Sequence, residues 1–335
     1  MKRIVIFGAT GSIGTSTLKI IKNNKDFKLV GIGYFSNKQK ARTIANKFHI
    51  DNILQGSATS KISKFLEITK PDLVLNAVSG SNGIVFSFLT VINKITLILA
   101  NKETLVCFGK KLMKIAKKNN VKIFPVDSEL SAIYSLLKHK LKNKKVKEII
   151  ITASGGNFYK YKYNQLLKVK YKDAIINPNW NMGEKVCIDS STLLNKSFEV
   201  VEAYWLFNQK IKALLQPQSK VHGIIKYTDN SVDAYIAKCD MCLFIKNALY
   251  QYEINDQKYI YHYDNIKDIK YELKPILNKI LKGYSYAKIM LDNINTSLPA
   301  IINIADEELI KLFKRNKIKF LDIYKYIDNL IKSLR

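Results

Sequence analysis

The stretch KRIVIFGATGSIGTSTL, Lys2–Leu18, decides the fold. It runs a short apolar β-type segment straight into glycines at positions 8, 11 and 14, then into residues that suit a helix start. Glycines in such a turn let backbone N–H groups approach a pyrophosphate, and the positive end of the following helix favours the anion. A strand, a glycine turn and a helix in that order predict the opening of a dinucleotide-binding α/β domain.

Working outward, FKLVGIGYF, PDLVLNAV, TLILAN and VKIFPVD are further β-rich runs, with helical patterns such as STLKIIKNN and GKKLMKIAKKNN between several of them. The alternation predicts a doubly wound parallel sheet. EIIITASGG starts a second set of strands, and VHGIIKYTDNSVDAYIA reads as a hairpin turning at Asp229-Asn230. We therefore expect an α/β chain: a Rossmann-like parallel sheet over 1–126, an α+β catalytic domain with a lid loop over 127–250, a tyrosine-rich linker over 251–271 and a helical domain over 272–335.

The formal net charge is +28. The basic tracts, such as Lys138–Lys147, lack interleaved aromatics for base stacking, so the expectation is a solvated basic surface that attracts a phosphorylated substrate, with no nucleic acid and no membrane as partner. No apolar run reaches the ~18 residues of a membrane span. MKRIVIFGA shows no leader pattern, giving a cytoplasmic expectation, or a plastid-type organelle if a leader has been removed. Four cysteines form no disulfide framework, and Cys239-x-x-Cys242 has no second pair to complete a zinc site.

At the end of the second strand, where NAD sites offer an acid to the ribose, stand Ser36, Asn37, Lys38, Lys40 and Arg42. Hydroxyl, amide and cations there favour NADPH; the competing reading is an exposed basic turn. ANKETLV puts Asn101, Lys102 and Glu103 at a strand's carboxyl end, where open α/β sheets bind ligands. PVDSE supplies Asp127 and Glu129 two residues apart; on a strand they would share a face, and two hard oxygen donors suit Mg²⁺ or Mn²⁺. An acid-rich helix start is the alternative. DSSTLLNKSFEVVEAYWLF predicts a helix begun by Asp189 or Ser190. Its apolar stripe is Leu194, Phe198, Val201 and Trp205, and Asn195, Glu199 and Glu202 lie on another face. That face is either solvated or, with Lys196 and the serines, a phosphate and metal site. TASGG adds Ser154 in a glycine turn. Of the four histidines only His222 falls near these candidates. Trp180 lies among Asn, Pro, Gly and Met, a loop composition offering nothing permanent to bury it.

Together these stretches resemble one family, the 1-deoxy-D-xylulose 5-phosphate reductoisomerases. GATGSIGTSTL, ANKETLV, PVDSE, ASGG, NPNWNMGEK, DSSTLLNKSFEVVEA and PQSKVHGIIKYTDNS occur in family order from Met1 to about Tyr235, with a weaker echo at PAIINIADEELIKLF. The resemblance implies NADPH held by Thr10, Gly11, Ser12, Ile13, Ser36, Asn37, Asn101, Lys102, Glu103 and Gly183. It implies Mg²⁺ or Mn²⁺ on Asp127, Glu129 and Glu199. It implies substrate contacts from Lys102, Ser128, Ser154, Asn177, Trp180, Ser190, Asn195, Lys196 and Glu199, with Ser154, Ser190, Asn195 and Lys196 around the phosphate. Trp180 would sit in a loop that closes over substrate, and a homodimer is usual. The implied reaction converts 1-deoxy-D-xylulose 5-phosphate to 2-C-methyl-D-erythritol 4-phosphate, a step toward isoprenoid precursors.

The chain departs from the pattern where the family reads His-Pro-Asn-Trp and His-Pro-Gln-Ser: Asn177 and Gln216 stand in place of the histidines. The family's D-M-R-x-P-I is Asp240–Ile245, DMCLFI, and the chain is shorter than typical members. A catalytically weak paralogue that binds NADPH and a sugar phosphate is the alternative; another NADPH-dependent reductase would not need the combined metal and phosphate residues.

Overall fold

The computed structural model describes residues 1–22, 24–180, 182–250, 271–277 and 280–334, so the expected 251–271 linker, apart from Tyr271, lies outside the described residues. In chain order the elements are β1 (Lys2–Phe7), α1 (Ser12–Lys22), β2 (Phe27–Tyr34), α2 (Lys38–Phe48), β3 (Ile53–Gln55), α3 (Thr59–Thr69), β4 (Leu73–Asn76), α4 (Ile84–Ile92), β5 (Thr96–Leu99), α5 (Lys102–Lys118), β6 (Ile123–Pro125) and α6 (Ser128–His139). There follow β7 (Val146–Ala153), α7 (Tyr163–Leu166), α8 (Tyr171–Ala174), α9 (Glu184–Thr192), α10 (Leu194–Phe207), β8 (Ile211–Leu215), β9 (Val221–Tyr227), β10 (Val232–Ile236) and α11 (Met241–Tyr250). The C-terminal region holds β11 (Lys274–Pro275), α12 (Tyr286–Asp292), α13 (Leu298–Lys314) and α14 (Asp322–Ser333).

The chain divides into two compact units. The first comprises Met1–Thr104, Phe108–Tyr134 and the segment from Asp240 that carries α11. Its sheet is parallel in the order β3-β2-β1-β4-β5-β6. Strands covered on both faces read as unbroken apolar runs, and Ile4, Val5, Ile6, Phe7, Leu73, Val74 and Leu75 are all fully buried. The order reverses direction between β1 and β4, which opens a crevice at their carboxyl ends. The expected parallel sheet is present; β3, only three residues long, carries too little pattern to be read from the sequence.

The second unit comprises Leu105–Cys107, Ser135–Cys239 and the C-terminal region. Its sheet has the order β10-β9-β7-β8-β11, mixed in direction: β7 and β8 are parallel, the other pairs antiparallel. The β9–β10 hairpin turns at Asn230, whose φ of 65° uses the left-handed region that asparagine tolerates. α9 and α10 share one apolar core with α12, α13 and α14, including Ile188, Leu194, Phe198, Val201, Ile302, Phe313, Phe320 and Ile327. The expected stripe of Leu194, Phe198, Val201 and Trp205 faces this core, with Trp205 partly buried against it.

Two local expectations are corrected. The single helix from Asp189 or Ser190 is two: α9 begins earlier, at Glu184 after Gly183, and the chain breaks at Leu193, whose φ is 64°. Gly283 fits into that break, where a Cβ would collide with the Thr192 carbonyl. Asp127 and Glu129 are not alternate residues of one strand, because β6 ends at Pro125 and the Asp127 carbonyl accepts the Ser131 N–H at 2.8 Å, which places Asp127 at the head of α6.

Candidate functional site

In the first unit, Gly8 has a φ of 78°, and a Cβ there would collide with the Ala77 carbonyl of the β4 exit. Gly14 lies against the Gly8 carbonyl and the Ala9 Cα, so the glycine spacing lets α1 approach the end of β1. The result is a cleft of about 260 Å³ lined by Gly8, Thr10, Gly11, Phe35, Ser36, Ala77, Val78, Ser79 and Asn82. Thr10, Gly11 and Ser36 were legible from the sequence, whereas Ser12 and Ile13 form the adjoining first turn of α1. Asn37 caps α2 by accepting the Lys40 N–H at 2.9 Å, and Lys40 Nζ donates to the Thr10 carbonyl at 2.8 Å. Phosphate-loop backbone and basic turn are thus held together.

Asn101 and Glu103 are buried. Asn101 Nδ2 lies 2.9 Å from both the Val78 and Gly80 carbonyls and 2.7 Å from Glu103 Oε2, while its Oδ1 accepts the Thr104 N–H at 3.0 Å. Asn101 thereby braces the loop after β4 whose Val78 and Ser79 line the cleft. Next to them Lys102, 8% exposed, places Nζ 3.3 Å from Asp127 Oδ2, and the Ser128 hydroxyl donates to Glu129 Oε2. Asp127, Ser128 and Glu129 therefore put oxygen donors at the head of α6, with a buried ammonium as counter-charge. Oxygen donors without imidazole or thiolate suit a hard divalent cation.

In the second unit, Ser154 lies in the turn after β7, where its hydroxyl accepts the Gly156 N–H at 3.3 Å. Gly155 and Gly156 take φ values of 86° and 65°, and a Cβ on Gly156 would collide with Ser190 and Ser191. The glycine turn and the end of α9 thus touch. After the Leu193 break, α10 presents Asn195 and Lys196 in its first turn, at the positive end of its dipole. Both side chains donate to Glu199, which is 1% exposed. Glu202 is buried too, so the polar face read in the sequence is no solvated face.

The Trp180 loop is built by amides. Asn177 Oδ1 accepts the N–H groups of Asn179 at 2.9 Å and Trp180 at 3.1 Å, and Asn179 Nδ2 donates to the Pro217 carbonyl and the Ser219 hydroxyl. Trp180 is half-buried, edge-on to the His222 ring with centroids 5.9 Å apart. Gly183 caps α9 in the open.

Models of the 1-deoxy-D-xylulose 5-phosphate reductoisomerases match residues 4–66 and 53–109, their C-terminal domain models match 123–207 and 236–335. The enzyme of that name from Malacoplasma penetrans is 42% identical over 344 residues, covering 99% of this chain and 89% of its own length. That of Clostridium novyi is 38% identical, with 99% and 92% covered. The chain belongs to the 1-deoxy-D-xylulose 5-phosphate reductoisomerase family. A reductoisomerase crystal structure in complex with NADPH, fosmidomycin and magnesium superposes with a TM-score of 0.88 at 29% identity, covering 98% of this chain and 88% of that one. The Zymomonas mobilis reductoisomerase in complex with NADPH gives 0.86 at 26%, with 99% and 92% covered.

Within this family the departures at Asn177 and Gln216 have local explanations. Each side chain is used in a turn: Asn177 as above, and Gln216 by accepting the Lys220 N–H at 2.7 Å and donating to Gln218 Oε1 at 2.8 Å. Sequence reasoning missed Val78, Ser79 and Asn82, although the Gly/Ser-rich run SGSNG after β4 was a signal for them. Cys239 Sγ donates to the Ser219 carbonyl at 3.0 Å.

Proposed function

We propose that the chain is an NADPH-dependent oxidoreductase that converts 1-deoxy-D-xylulose 5-phosphate to 2-C-methyl-D-erythritol 4-phosphate, in isoprenoid precursor synthesis. One observation carries the reading: membership of the reductoisomerase family extends over 99% of the chain, including the segment 123–207 that holds most of the proposed metal and substrate residues. NADPH and magnesium accompany the related structures.

Residues 1–126 bind the dinucleotide. The Gly8–Gly11 turn and the start of α1 take the pyrophosphate, and Ser36, Asn37, Lys38 and Arg42 the 2′-phosphate. NADPH, when bound, supplies the hydride that reduces a branched aldehyde to the product. Asp127, Glu129 and Glu199 hold a divalent cation, Mg²⁺ or Mn²⁺, which supplies Lewis acidity toward the ketone and neighbouring hydroxyl oxygens. Lys102 holds a positive charge beside Asp127 and hydrogen-bonds oxygens of the reacting carbons. Ser154, Ser190, Asn195 and Lys196 bind the substrate phosphate; this remote anchor keeps both fragments in place while the carbon skeleton rearranges. Trp180 covers the substrate and excludes water, and the Asn177 Nδ2, buried with no partner among the described residues, offers it a donor. The protein acts in the cytoplasm as a homodimer; among the described residues no helix is long and apolar enough to cross a membrane.

The test is the fall in NADPH absorbance on adding the substrate, with and without Mg²⁺, in wild type and Glu199→Gln. Substrate- and metal-dependent oxidation that the variant loses supports the proposal. Saturable NADPH binding without oxidation moves the reading to a paralogue that binds both ligands and turns over neither.

A further inference from the structure

The first turn of α9 is tied to α13 at two depths. At the surface, Lys314 Nζ and the Tyr171 hydroxyl each donate to Glu184 Oε2 at 2.7 Å, and the Lys314 hydrogen bond holds the Glu184 carboxyl below its ordinary range. Beneath them, Lys185 Nζ lies 2.7 Å from Asp189 Oδ2 and 3.1 Å from Asp306 Oδ2, with Phe198 under the cation at 5.2 Å. Both carboxylates are fully buried, and Asp189 Oδ1 and both oxygens of Asp306 have no hydrogen-bond partner among the described residues. One cation cannot neutralise two buried carboxylates, and an uncompensated buried charge is expensive. Burial, and then the Asp189 carboxylate, push the Asp306 carboxyl well above its ordinary range.

We infer that Lys185, Asp189 and Asp306 form a positioning cluster that pins α9 to α13, and with it the substrate-phosphate contact Ser190. Asp306 serves as the neutral acid, so the cluster carries no net charge. The charged groups acting on Asp306 are Lys185 and Asp189 of α9. On α14 the Tyr324 hydroxyl is spent on the Thr192 carbonyl at 2.9 Å, the α10 ring under Lys185 is the uncharged Phe198, and on α13 itself Glu307 accepts from Asn303. The C-terminal helices thereby set the affinity of the proposed phosphate site through α9. The catalytic part of this inference rests on the proposed role of Ser190.

The sign of the pH dependence follows. Folded Asp306 keeps a proton that the unfolded chain releases above the ordinary carboxyl range, so its contribution to stability is present in acid and is lost as pH rises. The test measures the thermal midpoint of the full chain at successive pH values for wild type, Asp306→Asn and Asp306→Ala, with KM and kcat for each. Wild type should lose stability relative to Asp306→Asn as pH rises, and Asp306→Asn should keep KM within about twofold. Asp306→Ala should raise KM on the order of tenfold with kcat nearly unchanged, because the phosphate anchor shifts and the reacting groups do not. A pH slope in Asp306→Asn identical to that of wild type overturns the neutral-acid assignment. An unchanged KM in folded Asp306→Ala overturns the positioning role. If wild type turns over no substrate, the functional reading fails, and the pH comparison still decides the neutral-acid assignment.

Discussion

Glu199 shows how much one side chain is asked to do. It is nearly inaccessible, it accepts from Asn195 and Lys196, and it is proposed to ligate a cation. Glu199→Gln keeps the shape and removes the charge, so metal-dependent turnover should fall by about a hundredfold or more. Steady-state rates at saturating Mg²⁺ check this, and turnover within a few-fold of wild type would contradict it. Gly8 makes the equivalent case for the cofactor. At a φ of 78°, with the Ala77 carbonyl where a Cβ would go, Gly8→Ala should strain the loop and weaken NADPH binding by about 1–3 kcal/mol, read by calorimetric titration. Gly8 was legible because a turn with that φ and no room for a Cβ calls for glycine. Asn101 was legible as important but not in its local role, because a buried amide tying Val78 and Gly80 looks in sequence like any amide at a strand end.

At the scale of elements, the break between α9 and α10 organises the second unit. It sets Ser190 at the end of one helix and Asn195 and Lys196 at the start of the next. Gly283 occupies the gap, and its carbonyl accepts the Ser197 hydroxyl at 2.6 Å. Gly283→Ala should therefore cost about 1–3 kcal/mol through overpacking, seen as a lower thermal midpoint, and should raise KM along with it. The break was not legible, since helical apolar spacing runs through Leu193 and Leu194 without a proline or glycine to mark it. The α6 start was hidden for a related reason: three residues of β6 give no alternation by which to tell a strand from a helix head. The parallel sheet was legible because strands covered on both faces write themselves as apolar runs, and the β9–β10 hairpin because Asp229-Asn230 names its turn.

At the scale of the molecule, two of the three acids proposed for the metal have a cation from their own unit beside them, and the third, Glu129, accepts the Ser128 hydroxyl. Lys102 stands 3.3 Å from Asp127, and Lys196 pairs with Glu199. Asp127 and Glu199 therefore do not depend on a metal for a counter-charge. Chelation should abolish turnover reversibly and leave the thermal midpoint of the apo chain within a few degrees of its value with Mg²⁺; a cooperative unfolding on chelation would show the reverse. Composition reveals nothing of this, because the charge of +28 is spread over a surface, whereas the decisive charges are the few that are buried. The central claim is that one chain both rearranges a carbon skeleton and reduces it. Incubating the protein with carbon-labelled 1-deoxy-D-xylulose 5-phosphate, NADPH and Mg²⁺, and reading the product by carbon NMR, tests this most directly. The account predicts a methyl group on a quaternary, oxygen-bearing carbon, formed in step with NADPH oxidation. An unbranched polyol phosphate, made by reducing the ketone where it stands, would contradict it.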